Sequence, residues 1–312
     1  MSKAKLIFVG TGPFAVPSLL ALADASNIVL VISQPPRPSG KKQLLIPSAV
    51  EAAAKKIKLN ILTPQRLEDL NDKFIDGQAD LMIVADYGQI IPENILKIPS
   101  RGAINIHPSL LPKHRGPAPI AAAILNGDTA TGVSIILMDA KMDHGPIIAQ
   151  ESYTLTGWER AVDLEQNLAQ QAAAMVVKYI PAFLAGQIQP QEQNHELATY
   201  HKLIKRTDGE IIWNKSAVTI ERKWRAYYPW PGIWWRRKIN KQDKIIKLLE
   251  VELFSAPAPA LTPGTFFWLN HTLGVAAANG SLKINKLQVE GKMPLMAEQF
   301  FRGYHDIIIQ LP

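Results

Sequence analysis

A carboxamide and an imidazole two positions apart, Asn105 and His107, open the stretch Asn105-Ile106-His107-Pro108-Ser109-Leu110-Leu111-Pro112-Lys113-His114-Arg115-Gly116. The apolar run Gly102-Ala103-Ile104 ahead of them reads as a short buried strand. Side chains alternate faces along a strand, so Asn105 and His107 point the same way. Pro108 cannot donate to a ladder and ends the strand. Two polar groups then stand together at a strand's C-terminal edge, where open α/β sheets bind ligands. That pair alone is more often a hydrogen-bonded couple without chemistry. Asp143 changes the reading. It lies in Met142-Asp143-His144-Gly145, in the turn after a second strand-like run, Gly132-Val133-Ser134-Ile135-Ile136-Leu137-Met138. A carboxylate there can orient the imidazole and stabilise its charged form. The Asn and the protonated His can then donate to a developing oxyanion. This is machinery for acyl transfer without a covalent enzyme intermediate.

The elements around this stretch read as an α/β domain with a mostly parallel sheet. Strands are expected over 4–9, 28–32, 59–62, 79–84, 131–138 and 147–154. Helices are expected over 14–24, 47–56, 64–74 and 117–125, with a long amphipathic one opening at Thr156-Gly157-Trp158-Glu159 and reaching Leu184. Gly10-Thr11-Gly12-Pro13 is a strand-to-helix turn and lacks the third glycine of a dinucleotide fingerprint. Ser33 to Gln43, with three prolines and three cations, reads as an exposed basic loop. The expected division is a catalytic domain over 1–188, a Gln-rich linker over 189–204 and a second domain over 205–312. In the latter, a helix over 218–227 precedes short strands at 233–239, 244–254, 264–269, 271–277 and 281–289, the pattern of a small β-barrel. Trp213, Trp224 and Trp230 are expected in its core or at its seam.

The 312 residues contain no cysteine, which removes disulfides, thiolate metal sites and a cysteine nucleophile. No apolar run approaches the roughly 18 residues of a membrane span, and the apolar stretch after Lys5 is too short for a signal sequence, so a cytoplasmic protein is expected. The net charge of +7 is uneven. Residues 1–199 hold 17 Lys and Arg against 18 Asp and Glu; residues 200–312 hold 17 against 9. The excess of +8 in the last third points to a polyanion-binding module beside a neutral catalytic domain.

Asn-x-His, then Ser-Leu-Leu-Pro, Arg-Gly, and Asp-x-Gly 36 residues after the His resembles the folate-dependent formyltransferases. The resemblance continues through Thr199-Tyr200, Ile212-Trp213, Arg225 to Gly232, and Met296-Ala297-Glu298-Gln299-Phe300-Phe301-Arg302-Gly303, and is nearest to members whose acceptor is methionyl-initiator tRNA. It implies a Rossmann-like formyltransferase domain followed by an OB-like C-terminal domain, 10-formyltetrahydrofolate as formyl donor, and no metal. The implied catalytic set is Asn105, His107 and Asp143. The implied folate site is Tyr87, Gly88, Gln89 and Ile90, with Ile91 as a further apolar wall, Ser109, Leu110, Leu111 and Pro112 along the tail channel, and Asp139. The candidate tRNA contacts are Arg37, Lys41, Lys42, Lys202, Lys205, Arg206, Arg236 and Arg237, and beyond these Arg222, Lys223, Arg225 and Lys238. Arg115 either supports its loop or meets a substrate phosphate. The resemblance further implies a monomer that formylates methionyl-tRNA for translation initiation. The alternative acceptor is a nucleotide-linked amino sugar, which needs a compact diphosphate site rather than a basic domain.

Overall fold

Runs of Leu, Ile, Val and Phe without alternation make strands that bury both faces, and such runs build the first sheet. In the computed structural model the described residues are 4–40, 43–69, 79–239, 241–255 and 260–311. They form two compact units. The first contains β1 (Lys5–Gly10), α1 (Ala15–Ala25), β2 (Asn27–Ile32), β3 (Arg37–Ser39), β4 (Leu44–Ile46), α2 (Ala49–Lys56), β5 (Ile61–Leu62), β6 (Leu81–Ala85), α3 (Glu93–Leu96), β7 (Ala103–His107), α4 (Pro119–Asn126) as far as Ala123, β8 (Ala130–Leu137), β9 (Ile147–Thr154) and α5 (Ala161–Leu184) from Asp163. The sheet order is β5-β2-β1-β6-β7-β8-β9. It is parallel from β5 to β7, and β8 and β9 then join antiparallel. Leu6 to Val9 and all of β6 are buried.

Three local readings change. The basic stretch after β2 is not all loop, because Arg37–Ser39 pairs antiparallel with Leu44–Ile46. Pro38 fits this two-stranded hairpin because both strands are edges. Lys41 and Lys42 lie outside the described residues. Of the helix expected over 64–74, Leu67–Asp69 is a 3₁₀ turn and the part from 70 onward lies outside the described residues. Thr156 to Glu159 does not open α5. The Glu159 carboxylate instead collects the Thr156, Gly157 and Trp158 backbone N–H groups into a turn, and α5 begins at Ala161. Its Leu164, Leu168, Ala172, Met175 and Val176 are buried as their spacing predicts.

Residues 189–203, expected as a linker, pack into the first unit. Gln191 and Ile147 exchange both backbone hydrogen bonds at 2.7 and 2.8 Å. Arg115 N–H donates to Thr199 O at 2.8 Å, and His201 N–H donates to Arg115 O at 2.9 Å. A polar composition suggested a tether; backbone pairing makes it a strap.

The second unit contains α6 (Ala217–Tyr227), β10 (Ile233–Ile239), β11 (Gln242–Leu253), β12 (Phe266–Leu269), β13 (Thr272–Ala276), β14 (Ser281–Val289), β15 (Leu295–Met296), α7 (Ala297–Gly303) and β16 (Ile308–Gln310). The order β10-β11-β14-β13-β12-β16, with β15 on β14, makes a curled, mostly antiparallel half-barrel of the OB-like kind. Trp235 and Phe300 flank Phe266 at ring distances of 5.5 and 5.2 Å in its core. Trp213 meets Trp235 edge-on at 5.1 Å, and Trp224 donates its indole N–H to Leu249 O; both are half-buried, at the margin of the core and not within it. Trp230 departs from the expectation of a core or seam position, with 59% of its surface exposed.

Helix α2 starts with a cap that its sequence announces. Ser48 Oγ accepts from Glu51 N–H at 2.9 Å and also meets Ser33 Oγ at the end of β2. Ser48→Ala is therefore expected to lower the unfolding free energy by about 1 kcal/mol, read as a shift in the urea midpoint.

Candidate active site

Strand alternation puts Asn105 and His107 on one face of β7, and the loop after β8 supplies the carboxylate. Leu137 lies opposite Ile104, and Met138 N–H bonds Ala103 O at 2.8 Å. The loop therefore starts level with the beginning of β7 and folds back over the sheet to bring Asp143 onto Asn105 and His107. Gly145 allows this return, since a Cβ there would lie 2.1 Å from Leu137 O.

Asp143 is shared among three groups. Its Oδ1 accepts from Asn105 Nδ2 at 3.1 Å and lies 3.6 Å from His107 Nδ1. Its Oδ2 accepts from Gly116 N–H at 2.8 Å. The residue sits in the left-handed region at φ 51°, a conformation Asp tolerates better than most side chains. His107 is buried, and its Nε2 lies 2.9 Å from His114 O. A carbonyl only accepts, so Nε2 carries the proton and Nδ1 is the nitrogen left to face Asp143 and the reacting centre. Gly116 is needed for a second reason: at φ +103° its backbone runs against the strap, and a Cβ would sit 2.4 Å from His201 O.

The other expected site residues divide. Ser109 and Leu111 are buried, and Ser109 Oγ donates to Lys113 O at 2.7 Å, so neither side chain lines an open channel. Leu110 and Pro112 are half-buried. Ser134 and Gln150 tie this loop down: Ser134 Oγ bonds Ser109 O and Leu111 N–H, and Gln150 donates to Leu111 O. Ile90 is 87% exposed, whereas Ile91 belongs to the core rather than to an open wall. Gly88 is exposed and Gln89 half-buried. Tyr87 is buried, its carbonyl accepts from Thr11 Oγ1 at 3.0 Å, and burial pushes its phenol up to about 12. Its hydroxyl has no hydrogen-bond partner among the described residues. Neighbouring Asp86 is solvent-exposed as a residue, yet its carboxylate packs on Gly12, where a Cβ would meet Oδ2 at 1.7 Å. Loss of hydration, then the charge of Glu165, push that carboxyl up to about 7. Asp139 accepts from Lys141 N–H at 2.8 Å and lies 2.7 Å from His144 Nδ1.

Arg115 is 1% exposed and cannot meet a substrate phosphate. It bonds Gln193, Tyr200 and His195. His195 Nδ1 accepts from this guanidinium and its ring stacks on His144 at 4.0 Å. Loss of hydration, then the His144 and Arg115 charges, hold His195 below the usual imidazole range. None of Gln193, His195 and Tyr200 was singled out as a site residue from sequence; the neighbouring Thr199-Tyr200 pair was the signal available.

Among the basic candidates, Arg37, Lys202, Lys205, Arg206, Arg236 and Lys238 are exposed. Arg237 is instead half-buried, with its guanidinium on Gly264 O and Ile307 O and over the Phe266 ring. Arg225 is buried against Glu221 at 2.6 Å. Both are structural cations. No group of three or more metal-ligating side chains is arranged to hold an ion among the described residues. No helix among them is long and apolar enough to cross a membrane.

The αβ sheet with an Asn-His-Asp cluster and a second, curled β unit defines a formyltransferase architecture, and the chain belongs to the formyltransferase family. Residues 4–180 match the formyl transferase domain and residues 203–305 the formyl transferase C-terminal domain. The methionyl-tRNA formyltransferase of Herpetosiphon aurantiacus is 38% identical over 306 residues, covering 97% of this chain and 99% of the relative. That of Rickettsia bellii is 38% identical over 309 residues, covering 98% of each. The solved N-formyltransferase of Helicobacter canadensis, in complex with folinic acid and dTDP-3-aminofucose, shares the fold with a TM-score of 0.66 at 19% identity, over 91% of this chain and 99% of that one.

Proposed function

We propose that the protein transfers the formyl group of 10-formyltetrahydrofolate to the amino group of methionyl-initiator tRNA, giving N-formylmethionyl-tRNA for translation initiation. The observation that carries this reading is similarity to methionyl-tRNA formyltransferases along nearly the whole chain, through both units. The amine nitrogen attacks the formyl carbon, the carbon–oxygen double bond becomes an oxyanion, and the bond to the folate nitrogen then breaks. His107 keeps its Nε2 proton on His114 O and works through Nδ1. It takes the proton lost by the amine, steadies the oxyanion as a cation beside Asp143, and returns the proton to the departing nitrogen. Asn105 spends one amide N–H on Asp143 and has a second for the oxyanion.

In this reading the donor lies against the Tyr87–Ile90 and Leu110–Pro112 segments. Ile90, Leu110 and Pro112 supply apolar surface, and the Gly88–Gln89 backbone and Asp139 supply polar edges, while Tyr87 lies in the core behind them. Residues 205–312 act as the tRNA-binding domain in this reading, with Arg37, Lys41, Lys42, Lys202, Lys205, Arg206 and Arg236 meeting phosphates. Such contacts position the substrate without reading sequence. Lys205→Ala is expected to weaken tRNA binding and to reduce the slope of log affinity against log salt by about 1. An unchanged slope would remove Lys205 from the interface. The reading also takes the protein as a cytoplasmic monomer.

The deciding experiment follows radiolabelled formyl from 10-formyltetrahydrofolate, with methionyl-initiator tRNA and amino-sugar nucleotides as parallel acceptors. Rapid labelling of the tRNA alone is expected. Labelling of the sugar alone would replace the acceptor, and labelling of neither would overturn the proposed reaction.

A further inference from the structure

We propose that Gln193 is a positioning residue for formyl transfer: its side-chain amide holds the Asp143 turn over Asn105 and His107. The proposal rests on the catalytic role given above to Asp143. Gln193 is buried, and both ends of its amide are used. Nε2 donates to Asp143 O at 3.0 Å and to Gly145 O at 2.7 Å. Oε1 accepts from Arg115 Nε at 3.2 Å and Nη2 at 2.6 Å. The chemistry allows one orientation only. Turning the amide over would set its NH₂ against a guanidinium and its oxygen against two carbonyls.

The turn needs such a hold. Asp143 occupies the left-handed region, and its loop must double back against Leu137 O to reach Asn105. A backbone in a sparsely populated conformation persists when its surroundings over-determine it. The Asp143 side chain is tied by Asn105 and Gly116, and its backbone carbonyl is tied by Gln193. Arg115 gives Gln193 a fixed base, because the guanidinium is itself bonded to Tyr200 Oη at 2.7 Å and His195 Nδ1 at 2.8 Å. Arg115 and Gly116 are adjacent in the chain. One segment therefore grips Asp143 from two sides, directly through the Gly116 N–H and indirectly through Arg115 and Gln193.

Gln193→Glu separates positioning from support. The carboxylate still pairs with Arg115, so the strap keeps its anchor, but an oxygen now faces the Asp143 and Gly145 carbonyls. Displacement of a catalytic group by about 1 Å can cost on the order of 10²-fold in rate. The expected result is a folded protein whose kcat falls about tenfold to a hundredfold, with KM for both substrates little changed and the His107 ring proton signals shifted in the NMR spectrum. Gln193→Met, which at similar volume removes both the donor and the acceptor for Arg115, is the second variant should the Glu variant not fold, and in a folded Met variant the His107 signals are read in the same way. Unchanged kcat and unchanged His107 signals in a folded variant would overturn the proposal, as would a loss of activity matching the loss of folded protein. The NMR signals also separate the two readings. If the wild-type protein labels no tRNA, the proposed function fails, and the His107 signals still report whether Gln193 holds the turn.

Discussion

His107→Gln is expected to lower kcat for formyl transfer by about 10²–10³-fold while the protein stays folded. The imidazole makes two distinct contacts, and the substitution removes one of them. Nε2–H bonds the buried His114 carbonyl, which a glutamine amide can also reach. His107→Ala would leave that carbonyl without its donor, at a cost of about 1–3 kcal/mol in stability, and would mix folding with catalysis. Glutamine has no counterpart to Nδ1, the nitrogen 3.6 Å from Asp143 Oδ1. The variant therefore tests whether Nδ1 carries the proton and the charge. The measurement is single-turnover transfer of labelled formyl to methionyl-tRNA, with thermal unfolding as the control. Near-normal turnover would remove His107 from the mechanism.

Asp143→Asn should be comparably severe, with turnover down by at least about 10²-fold. The two carboxylate oxygens face donors on both sides: Asn105 Nδ2 at 3.1 Å on one, Gly116 N–H at 2.8 Å on the other. An amide cannot serve both, because its NH₂ must point at a donor whichever way it turns. The substitution also removes the negative charge beside His107. Shape is nearly conserved, so an active Asn variant would show that neither the charge nor the paired acceptance matters. A dead variant with an unchanged melting temperature would support both.

The sheet was legible in the sequence because its inner strands are short continuous apolar runs, as at Leu6–Val9 and Leu81–Ala85. Asn105 and His107 were legible as a pair because alternation needs no tertiary information, and Asp143 because its turn follows a strand. What holds these residues was not. Gln193 and His195 lie in a polar segment with no periodicity, and their partner Arg115 is 78 residues from Gln193. The Arg37–Ser39 hairpin was hidden by its prolines, and the turn before α5 by a glutamate that reads as a helix former. Arg237 shows the limit of charge as a guide: on β10 its neighbour Arg236 is exposed, while Arg237 itself is spent on the Gly264 and Ile307 carbonyls.

The fold also says which part of the motif spacing has meaning. His107 is paired with Ser134 across β7 and β8, so the chain from Pro108 to Val133 is an excursion that returns to its starting point. Within it, the stretch to Gly116 touches Asp143, but α4 and its connection could lengthen or shorten without moving the cluster. From Ser134 onward there is no such freedom. Nine positions separate Ser134 from Asp143: the strand as far as Leu137, where one extra residue would turn the following side chains to the other face, and then a turn pinned by Gln193 at Asp143 O and Gly145 O. The 36-residue interval between His and Asp is thus an elastic helical loop joined to a rigid ruler. A relative with a longer interval could keep the same catalytic geometry, provided the count from the residue opposite the histidine stayed at nine.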